Sequence, residues 1–188
     1  MNLPRFRVLQ VSISSLIFVV VFFYFLTTSP KSITEIQLSF WGAHSANHWI
    51  WNASLALLSI TMFINVYYYI VSIPRLMNKR FLLFFFFTIS LGLFLTAVFN
   101  IGTIKILHNA SAFYYFFSCP LAIFLLAHTN HKNLLYKEWI THIIFSVIIL
   151  CAPLSIIHFF KGMAISETIH SSLILCWNFW LLKVSSEK

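Results

Sequence analysis

The sequence predicts an all-α, polytopic integral membrane protein, with six transmembrane helices in one bundle that forms a single domain over residues 1–188. Composition is the first observation, since 60% of the residues are hydrophobic and 9% are charged, where a soluble chain carries about a quarter charged residues. The mean hydropathy of +0.89 agrees with this composition. The apolar residues also gather in stretches of about 20, the length that crosses a hydrocarbon core about 30 Å thick. These observations exclude a soluble protein.

The six spans are predicted at residues 8–28, 50–73, 81–98, 110–127, 139–159 and 165–184. Arg5 and Arg7 precede the first apolar run, as in a secretory signal, but no small-residue cleavage site follows the run. The segment is long enough to span, so we expect it to be the first transmembrane helix. Pro120 and Pro153 lie inside the fourth and fifth spans. There we expect them to kink the helix and to free backbone carbonyls that the bundle must satisfy.

The distribution of Lys and Arg predicts that both termini are cytoplasmic, because basic residues favour the cytoplasmic side of a membrane. With the N-terminus inside, nine fall on the inner side: Arg5, Arg7, Arg75, Lys79, Arg80, Lys132, Lys137, Lys183 and Lys188. Three fall on the outer side: Lys31, Lys105 and Lys161. The net charge of +8 is therefore spread between apolar runs rather than gathered on one surface. This pattern indicates a membrane lipid environment and no nucleic-acid partner.

Polar side chains on the second, fourth and sixth spans predict a cavity that opens to the outer side. On each of these spans they fall within one helical face. Ionisable groups cost roughly 2.5 to 3.5 kcal/mol in hydrocarbon, so they are expected to turn inward or toward water. The candidate lining residues are His48, Asn52, His108, Tyr115, Glu167, His170 and Asn178. For them to converge, the three helices must be neighbours.

A metal site is an alternative use of the same end of the bundle, with His44, His48, His108, Glu167 and His170 as candidate ligands. The spacing of Glu167 and His170 is that of a Glu-x-x-His pair, which binds metals from helices. A Glu that interacts favourably with the helix dipole at an N-terminus gives the same pattern, and His44 and His48 equally fit the start of a helix in a wet loop. At the inner end, His128, His131 and His142 are interpreted mainly as interfacial residues.

Three segments resemble a large prokaryotic family of six-span membrane proteins catalogued as domain of unknown function 998. They are His48-Trp-Ile-Trp-Asn52-Ala-Ser-Leu, Val98-Phe-Asn100 through His108-Asn-Ala-Ser-Ala-Phe-Tyr-Tyr-Phe-Phe117, and Ser166-Glu167 to Trp177. The chain departs from the family pattern at Thr168, where an Arg commonly follows the Glu, and in its third loop, which lacks the usual Pro and Asp. The resemblance implies a prokaryotic cytoplasmic (inner) membrane. The family is in turn reminiscent of damage-regulated autophagy modulators, which are linked to lipid organisation.

Three classes of function fit this sequence. The first is a noncatalytic protein whose outward cavity binds or organises a lipid or other small amphiphile. The second is an intramembrane hydrolase or transferase, in which His and Glu hold a metal such as zinc that activates water. The third is a small transporter. The chain has no Asp, four glycines and no Gly-x-Ser-x-Gly motif. It also shows no internal sequence repeat, whereas many carriers contain one. These features favour lipid binding.

Overall fold

The computed structural model describes residues 3–29, 31–44, 47–99, 104–156, 159 and 163–186, and within these ranges the chain is helical and contains no strand. The helices are α1 (Leu3–Thr28), α2 (Trp41–His44), α3 (His48–Ser72), α4 (Lys79–Val98), α5 (Lys105–Thr129), α6 (Tyr136–Ile156) and α7 (Ala164–Ser186). A single 3-10 turn, Leu38–Phe40, leads directly into the short α2.

The long helices of the described chain, α1 and α3 to α7, overlie the predicted spans. Most extend the predicted bounds by a few residues. α6 is described as far as Ile156, and residues 157 and 158 of the predicted fifth span lie outside the described residues. Within the described ranges, five of these helices are long and apolar enough to cross a membrane, and α7 is not among them. The polar residues of α7, from Glu167 to Asn178, lower its hydropathy. A helical membrane bundle is therefore shown, and the count of six spans stays a prediction.

The outer surface of the bundle is apolar. Large side chains project from it, such as Leu16 with 63% and Phe84 with 66% of its surface exposed. In water, apolar surface on this scale promotes association, whereas in a bilayer it contacts hydrocarbon. The chain is therefore an integral membrane protein.

The helices from α3 to α7 form a closed ring, because each packs against the next and α7 returns to α3. Outside this ring, α1 packs against α3 and α7. The backbones of α3 and α7 are thus neighbours, whereas α5 is flanked by α4 and α6 and reaches α7 through side chains such as Phe116, which stacks on His170. The backbone of α5 consequently lies further from α3 and α7 than these two helices lie from each other, which leaves space between them for side chains.

We call the two ends of the bundle the cavity end and the termini end. At the cavity end α1 finishes and α7 begins, and the Ala164 N–H donates to the Ile36 carbonyl oxygen at 2.9 Å. The chain between α1 and α2 is thereby held over the start of α7. At the termini end α1 begins and α7 finishes, so the first and last described residues lie on the same side.

A buried polar network joins α1, α3 and α7 toward the termini end. The Arg7 Nη2 donates to Asn65 Oδ1 and to Ser185 Oγ, each at 3.1 Å. Asn65 Nδ2 donates in turn to the Asn178 backbone oxygen at 2.9 Å and to its Oδ1 at 3.1 Å. The guanidinium also lies 4.8 Å from the centre of the Tyr68 ring. These contacts accommodate a buried cation through neutral acceptors and an aromatic face.

Candidate functional site

Two adjacent spaces lie at the cavity end, and His108, Ala112, Phe116 and Glu167 line both of them. The first, which we call the polar cavity, holds about 60 Å³ between α3, α4, α5 and α7. The second, which we call the lateral groove, holds about 160 Å³ and runs between α5, α6 and the start of α7. The polar cavity occupies the part of the interior where α5 does not pack its backbone against α3 or α7.

Glu167 stands in the first turn of α7, and its Oε2 accepts the Leu38 backbone N–H at 2.6 Å. Free backbone N–H groups and the helix dipole favour a carboxylate at this position. Glu167 thus has the position at a helix N-terminus that the sequence offered as the alternative to a metal ligand. The same carboxylate lines the polar cavity and the lateral groove. Its Oε1 has no hydrogen-bond partner among the residues that the structure describes. Glu167 therefore anchors the connection to α2 and also presents an oxygen to the cavity.

His108 stands in the first turn of α5, where it is buried against the end of α4. Its Nδ1 lies 2.8 Å from the Phe99 carbonyl oxygen and 3.1 Å from that of Thr96. Carbonyl oxygens only accept, so Nδ1 carries the hydrogen, and in the neutral imidazole Nε2 keeps its lone pair. His108 thus satisfies carbonyls that the last turn of α4 leaves unpaired. This contact fixes the ring at the wall of both spaces.

Asn52 and Tyr115 complete the polar part of the wall, from α3 and α5 respectively. The Asn52 Nδ2 donates to the Gly42 carbonyl oxygen at 3.1 Å. A Cβ on Gly42 would overlap the Asn52 Oδ1, so a side chain at that position would displace the Asn52 amide. His48, the first residue of α3, is exposed and is not among the lining residues. The cavity begins one turn further into α3 than the sequence pattern suggested.

His170 lies behind the aromatic wall of the cavity. Its ring stacks on Phe116 with centroids 3.9 Å apart and meets Tyr115 edge to face at 5.5 Å. Its Nδ1 donates to the Ile149 carbonyl oxygen at 3.3 Å. Ile149 is four residues before Pro153, which has no N–H to offer that carbonyl. The expectation that the bundle satisfies a carbonyl freed by Pro153 is confirmed, and His170 satisfies it.

Asn178 lies about three helical turns from Glu167, in the buried network of Arg7 and Asn65. A helix of 23 residues spans most of the height of the bundle. The polar face of α7 therefore contributes to the polar cavity at one end and to the buried network of Arg7 and Asn65 nearer the other. Of the seven residues predicted to line one cavity, the structure brings together four: Asn52, His108, Tyr115 and Glu167. The other three, His48, His170 and Asn178, lie outside its lining.

The candidate metal ligands whose side chains the structure describes do not converge. Within the described residues, no group of three or more His, Cys, Asp or Glu side chains is arranged to hold a metal ion. Although Glu167 and His170 have the spacing of a ligand pair, Glu167 contacts Leu38 and His170 contacts Ile149. The side chain of His44 falls outside the described residues.

A second cluster of ionisable residues, which sequence reasoning missed, lies in the bundle interior. The Trp177 Nε1 donates to His142 Nδ1 at 3.2 Å, and His142 Nε2 lies 2.8 Å from the Tyr69 hydroxyl. His142 is fully buried, so its interpretation as an interfacial residue is wrong. A signal for this burial is present in the sequence, since Glu138, His142 and Ser146 recur every four residues along one face of α6. In a membrane helix such a polar face turns inward.

Over residues 12–183, the chain matches the family described as protein of unknown function (DUF998). The match runs from the first helix into the last. Comparisons with curated proteins and with solved structures gave no match, so the likeness to damage-regulated autophagy modulators has no support. The motifs at the starts of α3, α5 and α7, which carried the resemblance, lie around the polar cavity. The chain belongs to the DUF998 family.

Proposed function

We propose that this protein binds or organises a membrane lipid or other small amphiphile at the cavity end. The alkyl chain occupies the lateral groove and the polar end reaches the polar cavity. The observation that carries this proposal is the shared wall, because an apolar groove and a polar cavity meet at His108 and Glu167. An amphiphile is a molecule with these two parts joined, and ligand sites commonly combine an apolar lining with a few placed polar groups.

The lateral groove supports this proposal by its position. Phe113 and Phe117 on α5 and Leu154 on α6 line it, and 54%, 50% and 44% of their respective surfaces are exposed. The groove is therefore open on the outer surface of the bundle, which contacts hydrocarbon. An alkyl chain can enter it from the bilayer without crossing water.

The proposal includes six spans in a prokaryotic cytoplasmic membrane, both termini in the cytoplasm and the cavity end outside. The excess of Lys and Arg near the termini end supports this orientation. α7 is long enough to span at 23 residues, and it packs against α1, α3 and α6. A helix surrounded in this way can carry polar residues because few of its faces contact lipid. No contact among the described residues favours the metal-dependent enzyme or the transporter.

The test is the lipid content of the purified protein. We expect protein purified in mild detergent to retain a defined lipid or amphiphile, detected by mass spectrometry. Ala112 lines both spaces, so Ala112→Phe should fill their junction and remove most of that ligand. Ala110→Phe adds the same ring at an exposed position of the same helix and should leave the ligand in place. Equal ligand content in the two variants, or none in the natural protein, would contradict the proposal.

A further inference from the structure

We propose that the polar cavity selects amphiphiles that carry a positively charged ammonium group, held by the carboxylate of Glu167. This inference rests on the proposed function and specifies the chemistry of the ligand's polar end. It follows from the charge, the hydrogen-bonding groups and the aromatic faces of the described lining residues.

Charge is the first argument. Among the described residues that line the polar cavity and the lateral groove, Glu167 is the one acidic residue, and no Lys or Arg is present. The chain as a whole has twelve basic and four acidic residues, so an acidic lining is opposite in sign to the net charge of the protein. Glu35, which is at the same end, is exposed and outside both linings. A carboxylate in a confined apolar space attracts a cation more strongly than it would in water.

The hydrogen-bonding groups of the polar cavity include several acceptors. Glu167 Oε1 is open, and His108 has used its Nδ1 hydrogen on the backbone of α4, which leaves Nε2 as an acceptor. Thr96 directs its hydroxyl hydrogen to the Gly92 carbonyl oxygen at 2.9 Å, so its oxygen is also left to accept. Three acceptors on three residues fit a group with several N–H donors. A phosphate or carboxylate would instead meet the like charge of Glu167.

Aromatic side chains supply the remaining wall. Trp51, Tyr115 and Phe116 all line the polar cavity. A cation within about 6 Å of an aromatic ring centre is attracted by the ring's quadrupole, and aromatic residues beside a carboxylate are a common way of recognising ammonium groups. The cavity therefore combines the two kinds of group that favour an alkylammonium ion over a neutral or anionic one.

The experiment measures the equilibrium binding of three radiolabelled amphiphiles with the same twelve-carbon chain: dodecylamine, dodecanol and dodecanoate. The full-length protein is held in micelles of a nonionic detergent, and binding to empty micelles is subtracted. We expect the amine, which is cationic at pH 7, to bind about tenfold more tightly than the alcohol, as one charge-assisted hydrogen bond accounts for. Dodecanoate should bind most weakly.

Glu167→Gln removes the charge and keeps an oxygen for the Leu38 N–H. It should lower the affinity for dodecylamine about tenfold and that for dodecanol by a smaller factor, because the alcohol loses a hydrogen bond to the carboxylate but no ion pair. Glu35→Gln makes the same change of charge at an exposed position of the same end, and it should leave both affinities unchanged. If Glu167→Gln does not fold, Thr96→Val removes a different acceptor and should lower the affinity for the amine by a few fold.

The outcomes separate this inference from the proposed function. Equal binding of the amine and the alcohol, or equal losses in Glu167→Gln and Glu35→Gln, would overturn the ammonium inference and leave amphiphile binding intact. Failure of all three compounds to bind would reject the proposed function itself. The source of the ammonium group is read from the lipids that co-purify. Enrichment of phosphatidylethanolamine over phosphatidylglycerol indicates a phospholipid, and amine binding without that enrichment indicates a free alkylamine.

Discussion

His170 donates from Nδ1 to the carbonyl oxygen of Ile149 on the neighbouring helix, at 3.3 Å. An imidazole thereby takes the place of the backbone N–H that Pro153 lacks. The same ring supports Phe116, a wall residue of both the polar cavity and the lateral groove. The stability of α6 and the shape of the candidate site therefore depend on one side chain.

This arrangement predicts coupling between His170 and Pro153. His170→Ala should lower the free energy of unfolding by about 1–3 kcal/mol, because it leaves a buried carbonyl without a donor. In a Pro153→Ala background the helix regains its own N–H, so the same substitution should cost less. The measurement is a double-mutant cycle of unfolding in detergent. Strictly additive losses would show that the hydrogen bond to Ile149 is not what His170 contributes.

Adjacent serines on α1 should respond differently to replacement by alanine. Ser14 Oγ lies 2.8 Å from Thr61 Oγ1 on α3, whereas Ser15 Oγ is buried without a hydrogen-bond partner in the described structure. Ser14→Ala should lower the free energy of unfolding by about 0.6 kcal/mol, the typical value for a hydrogen bond between membrane helices. Ser15→Ala should be neutral or stabilising, since it removes an unsatisfied buried hydroxyl. A larger loss for Ser15→Ala would contradict the packing of α1 on α3.

The tautomer of His142 is fixed by its neighbours. An indole N–H only donates, so the contact with Trp177 requires His142 Nδ1 to accept. We expect a neutral imidazole with its hydrogen on Nε2, directed at the Tyr69 hydroxyl. Nitrogen chemical shifts of ¹⁵N-histidine, assigned by comparison with His142→Gln, test this expectation. A hydrogen on Nδ1 would show that the Trp177 contact is absent.

The orientation of the bundle is tested by cysteine accessibility in a background without native cysteines. Lys105 at the cavity end and Arg80 at the termini end are both exposed. Lys105→Cys should react with a membrane-impermeant maleimide in intact cells, and Arg80→Cys only after the membrane is permeabilised. The reverse pattern would place the termini outside, and the proposed sides of the cavity and groove would be exchanged.

Much of the helical framework follows from the sequence, because the thickness of the hydrocarbon core dictates the length of each apolar run. Predicted and observed bounds agree closely for the second span, 50–73 against His48–Ser72. The cavity was partly predictable for a related reason. Ionisable residues avoid lipid, so a polar helical face indicates which side of α5 or α7 turns inward.

The depth of each polar residue along that face depends on how the helices pack. Glu167 and Asn178 share a face of α7, yet one lies beside α5 and the other beside Asn65 of α3. His142 was misinterpreted because its position near the inner end of a span suited an interfacial residue as well as a buried one. Its partners, Tyr69 and Trp177, come from helices far away in the sequence, and only their packing brings them together.

The opening of the lateral groove between Phe113, Phe117 and Leu154 determines what an occupant must compete against. A chain that leaves the bilayer for this groove exchanges one apolar surrounding for another, because lipid tails are as apolar as the side chains that replace them. Each methylene group then contributes little to affinity, and every lipid in the leaflet competes for the same space. Occupancy is accordingly governed by the mole fraction of the ligand in the membrane rather than by its concentration in water, and discrimination between lipids falls to their polar ends.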